Sequence, residues 1–344
     1  MDRQPAQNRY LPELDLVRTA ATALILVYHF AAEFAAAGLL PGAAWPAFGA
    51  EVGIELFFLL SGASLCWGRG GRFDARRYYA GRALAIYPCF WVGFAALFLY
   101  GEVLHGNNAG IPKWKLVFSV LGLDGYLLPL GANFYKIGEW FLGCLLLIYL
   151  LFPLLRRLQN GRRRCLAATA ALGAVWLAWP LCCPPPWDAA HTVLGRVFVF
   201  WCGMLAARVL RAPRRLGLLA ALAGGGAVLA LAALPWPGRW PQPAALCAAL
   251  LVLALAGLGG PALDRWPRAA GAALRWCARQ SYAVFLVHHV FLTLVAVPLA
   301  RRLALPAAVW FLPYAAVCLA LGAVLVIVAK PVRFVLAKAL GAAR

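Results

Sequence analysis

Ten apolar runs divide this chain, and any fold has to dispose of them first. They are Leu14–Ala37, Ala50–Trp67, Leu84–Val103, Glu139–Leu155, Leu166–Leu181, Thr192–Val209, Leu216–Leu234, Ala244–Gly260, Ser281–Ala300 and Pro306–Ala329. Each is long enough, with some tilt, to cross about 30 Å of hydrocarbon. No water reaches a backbone amide there, so each run must close its hydrogen bonds within itself, as a helix. The expected architecture is an all-α polytopic membrane protein, a bundle of about ten transmembrane helices over residues 14–329. It forms one integral-membrane domain spanning 1–344, with no separate soluble domain. A shorter stretch, Leu116–Leu130, is broken by Asp124, Gly125 and Pro129 and reads as re-entrant or interfacial.

The formal net charge of +20 raises the question of nucleic acid, which the placement of the charge answers. Of 32 basic residues, 25 fall on the side of the two termini, counting Arg18 and Arg208 at the ends of their runs, six fall in the opposite loops, and Arg196 is left inside a run. That asymmetry is the positive-inside pattern and puts both termini in the cytoplasm. The partner it implies is the lipid bilayer, with no nucleic-acid patch. AAEFAAAG after the first run resembles a signal-peptide cleavage region, but Asp2, Glu13 and Asp15 offset Arg3, Arg9 and Arg18, so a positive leader segment is lacking. Ten cysteines sit mostly within the runs, and the absence of a C-x-x-C pair argues against a zinc or redox centre.

Polar residues inside such runs are where function is expected. The first run, LDLVRTAATALILVYHF, carries Arg18 and His29. Eleven residues make almost three helical turns, so the two side chains share a face, roughly 16 Å apart along the axis. A histidine placed so deep serves chemistry or a hydrogen bond to a neighbouring helix, and the residues alone leave both open. In the second run, EVGIELFFLLSGASLCW, Glu51 and Glu55 share a face near the outer end, and Ser61-Gly62 permits a close helix approach. The loop after it holds Arg69, Arg72, Arg76, Arg77 and Arg82, a topology signal or a set of anion-binding guanidiniums.

Outside, residues 104–138 mix His105, Asn107, Asn108, Trp114, Asp124, Tyr126, Asn133 and Tyr135, which suits a sugar and equally an interfacial aromatic belt. Glu139 and Trp140 stand at the mouth of the fourth run. His191 and Arg196 flank the start of the sixth, where Arg196 should pair with a carboxylate or line a polar cavity. SYAVFLVHHVFL carries Ser281, Tyr282, His288 and His289, and the 100° step between neighbours lets only one of the two histidines point directly into a site.

Taken together, LDLVRTAATALILVYHF, GIELFFLLSG, RALAIYP, WFLGCLLLIYLLFP and SYAVFLVHH resemble, in order, the motifs of acyltransferase family 3, the membrane proteins that O-acylate envelope and exported glycans. The resemblance runs from about residue 10 to 295 and is nearest the WFL-type branch, without a fused serine-hydrolase-like domain. Two positions depart from it: Ala85 stands where many members have a second arginine, and Leu145 where they have an acid, a role that would pass to Glu139, Glu55 or Glu33.

The resemblance implies an O-acyltransferase that takes an acyl group, most simply acetyl, from cytoplasmic acetyl-CoA or another acyl-CoA. The acceptor would be a hydroxyl of an extracytoplasmic glycan or glycolipid, and the setting a multi-pass protein of the bacterial inner membrane. No metal is implied. Such transfer needs a base for the hydroxyl proton and donors for the tetrahedral oxyanion. Imidazole, with an ordinary pKa of about 6.5, suits the first task. His29 is therefore the expected base and Arg18 its catalytic partner, with Arg18, Arg82, Arg76 and Arg77 holding the donor's phosphates. Glu33, Glu55, Ser61, Glu139, Trp140, Tyr282, His288 and His289 are supporting candidates. The rival reading is a glycan or glycolipid exporter, or a proton-coupled transporter, although the two halves show no matching pair of broken helices.

Overall fold

The computed structural model describes residues 11–42, 45–67, 73–105, 110–209, 217–219, 222–224, 226–227 and 242–342. Among these the chain is mostly helical and contains no strand. In chain order the helices are α1 (Pro12–Ala36), α2 (Trp45–Trp67), α3 (Ala75–His105), α4 (Leu116–Leu121), α5 (Asp124–Leu127), α6 (Glu139–Leu158), α7 (Arg162–Cys182), α8 (Val193–Val209), α9 (Gln242–Leu263), α10 (Arg268–Phe291), α11 (Val297–Leu303), α12 (Ala307–Val328) and α13 (Lys330–Ala339). Eight stretches are long and apolar enough to cross a membrane, one of them running unbroken from Arg268 to Leu303. The protein is a multi-pass, all-α membrane protein.

The sixth expected span is the shorter α8, and most of the seventh, Leu216–Leu234, lies outside the described residues. Two helices begin well before their apolar runs, α3 at Ala75 and α10 at Arg268, because arginine and alanine favour helix and carry it past the hydrocarbon. The stretch expected to be interfacial is a chain of short turns, α4, α5 and two single 3₁₀ turns.

The chain forms two compact units. The first comprises α1, α2, α8 from Val199, α9, α10 apart from Phe285–Val287, α11 and α12 up to Ala320. Helix α1 starts with Pro12 in its first turn and Glu13 and Asp15 beside it, the residues a helix N-terminus favours. Glycines bring its neighbours in: a Cβ at Gly53 of α2 would meet the Ala21 carbonyl at 3.2 Å and Leu24 Cβ at 3.3 Å. Further along α2, a Cβ at Gly62 would overlap the Phe200 carbonyl, and one at Gly203 of α8 would overlap that of Leu59. The expected close approach at Ser61-Gly62 is thus a backbone-to-backbone crossing of α2 and α8. The unit's core gathers Leu26, Phe30, Phe34, Val284, Leu292, Tyr314 and Cys318, with the Phe30 and Phe34 rings stacked at 4.1 Å.

The second unit holds α3 to α7, the start of α8 as far as Phe198, Phe285–Val287, and the chain from Leu321 through α13. Pro153 inside α6 has no N–H for the carbonyl of Tyr149, four residues back. The Tyr78 hydroxyl of α3 donates to that carbonyl at 3.0 Å, and the Tyr79 hydroxyl donates to the next, Leu150, at 3.1 Å. A proline that weakens one helix therefore supplies the acceptor that ties it to another.

Candidate active site

His29 lies on the fifth turn of α1, half-buried, and its imidazole meets two others from α10. The ring centroids of His29 and His288 are 4.8 Å apart, and those of His29 and His289 are 4.7 Å apart. Both α10 histidines therefore flank His29, correcting the expectation that only one could. Neighbours 100° apart on a helix can straddle a third ring that lies between their two directions. His288 is fully buried; His289 is a third exposed, as is Glu33, whose Oε1 lies 3.1 Å from His289 Nε2. This contact is a hydrogen bond between the His289 imidazole and the Glu33 carboxyl group, and with Glu33 ionised it is His289 Nε2–H that donates. Glu33 is one turn beyond His29 on α1, on nearly the same face. Tyr28 also meets His29 edge to face, with ring centroids 5.0 Å apart.

The helix that supplies His288 and His289 changes its winding directly after them. Residues Leu292–Ala296 form a π-helical stretch, which lodges one extra residue in the turn and re-aims the side chains beyond it. Tyr282, two turns before His289, shares its face of α10. Arg18, three turns before His29 on α1, is half-buried, and among the described residues its guanidinium meets the Asp15 carboxylate, at 3.5 Å. A contact that long and exposed is weak.

Glu55 sits elsewhere than expected. Helix α2 starts at Trp45, so Glu55 is mid-helix and fully buried, near enough to Cys202 of α8 to act on it electrostatically. Ser61 is half-buried beside the Gly62 crossing, its carbonyl accepting from Ser64 at 3.3 Å.

The remaining candidates belong to the second unit. Arg82 lies 5.6 Å over the Tyr149 ring; Arg76 and Arg77 are exposed, with the Arg77 amide capped by Asp74 at 3.1 Å. Arg69 and Arg72 lie outside the described residues, as do Asn107 and Asn108. Glu139 is the first residue of α6 and adopts a φ of 42°, directly after Gly138 at 97°. A left-handed glutamate costs on the order of 1–2 kcal/mol and persists only where packing fixes it. Gly125 provides that packing, because a Cβ there would overlap the Glu139 backbone. Tyr135 lies against the same residue, and burial, reinforced by the Glu139 carboxylate, holds its hydroxyl well above the ordinary phenol range.

One residue past Glu139, Trp140 carries the second unit's other cluster. Its ring stacks on His191 at 4.2 Å, and the Arg196 guanidinium lies 5.4 Å above it. Arg196 is completely buried and donates through Nε to the Ala190 carbonyl at 2.6 Å. Thr192 accepts from the Trp179 indole at 2.7 Å and donates to Ala189, closing the turn that presents His191.

The family model described as an acyltransferase domain, that of acyltransferase family 3, matches residues 11–330. The chain belongs to acyltransferase family 3. No curated protein and no solved structure matches it. Membership supports membrane acyl transfer to sugar-like acceptors in general. Within this acyltransferase, α1 and α10 bring His29, Glu33, His288 and His289 together, while Arg18 stands apart from them along α1. Sequence reasoning missed the doubled histidine contact, the Glu33–His289 bond and the left-handed Glu139. The i, i+4 spacing of His29 and Glu33 was a readable signal; a φ set by a distant glycine was not.

Proposed function

We propose that this acyltransferase moves an acyl group, most simply acetyl, from a cytoplasmic acyl-CoA to a hydroxyl of an extracytoplasmic or lipid-linked glycan. The bacterial inner membrane is the proposed setting, with both termini cytoplasmic. His29 takes the hydroxyl proton as the oxygen attacks the thioester carbonyl. The carbon–sulfur bond then breaks, and the imidazolium returns its proton to the departing coenzyme A thiolate. The observation that carries this reading is the position of His29: one imidazole packed against two others, in line with the Arg18 guanidinium on the same helix, whose contact with Asp15 is long and half-exposed.

Arg18 is assigned to a phosphate of the donor, since a guanidinium binds phosphate oxygens two at a time. An extended pantetheine arm fits the three turns of α1 that separate Arg18 from His29. Arg82, Arg76 and Arg77 are proposed to contribute to donor affinity by the same chemistry. His289, fixed by Glu33, orients His29 by packing, and His288 closes the other side.

Inside-out membrane vesicles supplied with labelled acetyl-CoA and isolated envelope glycan test the proposal. The label is expected on glycan hydroxyls with the wild-type chain and absent with His29→Ala. Labelling by His29→Ala at the wild-type rate, or transport of unmodified glycan without any labelling, overturns it.

A further inference from the structure

The C-terminal helix α13 takes no part in the chemistry above, yet its surface is made for a particular neighbour. Ala329 alone separates it from the membrane-spanning α12, so α13 starts where α12 leaves the hydrocarbon. The two run on antiparallel to α3. A Cβ at Gly93 would touch Leu325 at 3.8 Å, Arg333 is close enough to Cys89 to act on its thiol, and a Cβ at Gly341 would lie 3.4 Å from the Arg76 guanidinium. Helix α13 thus lies beside the part of α3 between Cys89 and Arg76, where apolar sequence gives way to arginine.

Val332, Leu336, Ala337 and Leu340 are the sheltered residues of α13. The opposite arc carries Lys330, Phe334, Val335 and Lys338, all exposed, Phe334 by 68% and Val335 by 65%, while Arg333 lies on the side of α3. No acidic residue occurs in the helix. A phenylalanine and a valine held in water beside two lysines would be unfavourable, whereas at a headgroup boundary the apolar pair enters the acyl region and the cations reach phosphate.

We propose that the outward face of α13 binds anionic phospholipid headgroups of the leaflet at which the chain ends. Each basic residue near such a surface contributes about 1 kcal/mol, so Lys330 and Lys338 together discriminate an anionic from a zwitterionic lipid by about tenfold or more at low salt.

The purified full-length chain, titrated with phosphatidylglycerol or phosphatidylcholine in neutral detergent and read by native mass spectrometry, tests this. Phosphatidylglycerol is expected to be retained at least about tenfold better, with the preference shrinking at about 0.5 M salt. Lys330→Gln with Lys338→Gln should bring the two lipids within about twofold while leaving acyl-CoA affinity unchanged. Lys330→Arg with Lys338→Arg, which keeps the charge and serves if the glutamine variant fails to fold, should retain the preference. Equal retention by the wild type, or an undiminished preference in the glutamine variant, overturns the assignment. So does a parallel loss of acyl-CoA affinity, which would make these cations part of the donor site.

Discussion

The two units each bury a polar cluster among aromatic rings, and the clusters are built from different kinds of group. In the first, three imidazoles and a carboxylate meet between α1 and α10, groups that can accept or donate a proton. In the second, a single imidazole, His191, stacks on Trp140, and Arg196 is clamped between a carbonyl and the same ring as a guanidinium that keeps its proton under any physiological condition. The first cluster is built to pass a proton; Arg196 at the centre of the second fixes a shape. Substitutions in the first should therefore strike turnover and spare the fold, and those in the second should do the reverse.

The largest effect expected is that of His29→Ala. Loss of a general base lowers rate by roughly 100- to 10,000-fold. The thermal midpoint in detergent should stay near wild type, because His29 is half-buried and its neighbours are rings that can close over the gap. A midpoint that collapses along with activity would make His29 a packing residue and erase the contrast between the units. Arg196→Lys is the complementary change. Lysine keeps the charge but loses the planar fork, hence both the bond to Ala190 and the stack on Trp140. The expected cost is about 2–4 kcal/mol of stability, from the charged hydrogen bond and the cation–π contact together. Acyl transfer per folded molecule should change far less than in His29→Ala.

The same contrast explains what was legible in the sequence. Arg18, His29 and Glu33 lie on one helix, and helical periodicity alone puts them on one side of it. The order of apolar runs likewise carries the architecture, because hydrocarbon leaves the backbone no alternative to helix. The second unit's cluster depends on where a turn ends and a helix starts. Trp140 meets His191 and Arg196 across a fold, and Glu139 is held left-handed by Gly125, fourteen residues away. No spacing rule reports such contacts. The pairing of His288 and His289 around His29 falls between the cases: the face was readable, but the idea of one inward direction misjudged how wide an imidazole site is.

A smaller effect, on turnover, tests whether Glu33 acts through His289. Glu33→Gln keeps an oxygen for the Nε2–H but removes the charge, and about a tenfold fall in kcat with KM unchanged is expected. His289→Ala should cost about as much, and the double variant little more than either, since residues acting through one contact are not additive. Two independent losses that multiply would separate Glu33 and His289 and leave His29 without its proposed orienting pair.

The smallest effect expected is on stability, and it lies in the second unit at Asp124. This carboxyl starts α5 and is only 2% exposed. Burial raises its pKa above the ordinary 3.8, with Ser119 and Lys136 offsetting only part of that. A carboxyl whose pKa is higher folded than unfolded favours the folded state while protonated. That contribution is complete below the unfolded value and disappears as pH rises through the folded one. The wild type is thus held back at neutral pH by a charge that Asp124→Asn would remove without changing shape. The variant's thermal midpoint should exceed the wild type's by a few degrees at pH 8, and the gap should close as pH falls towards 4. A gap independent of pH would mean that Asp124 is already neutral at pH 8 or is matched by a partner once folded in lipid. Either result would place Asp124 with Arg196, as a buried group whose charge does not change in the working range.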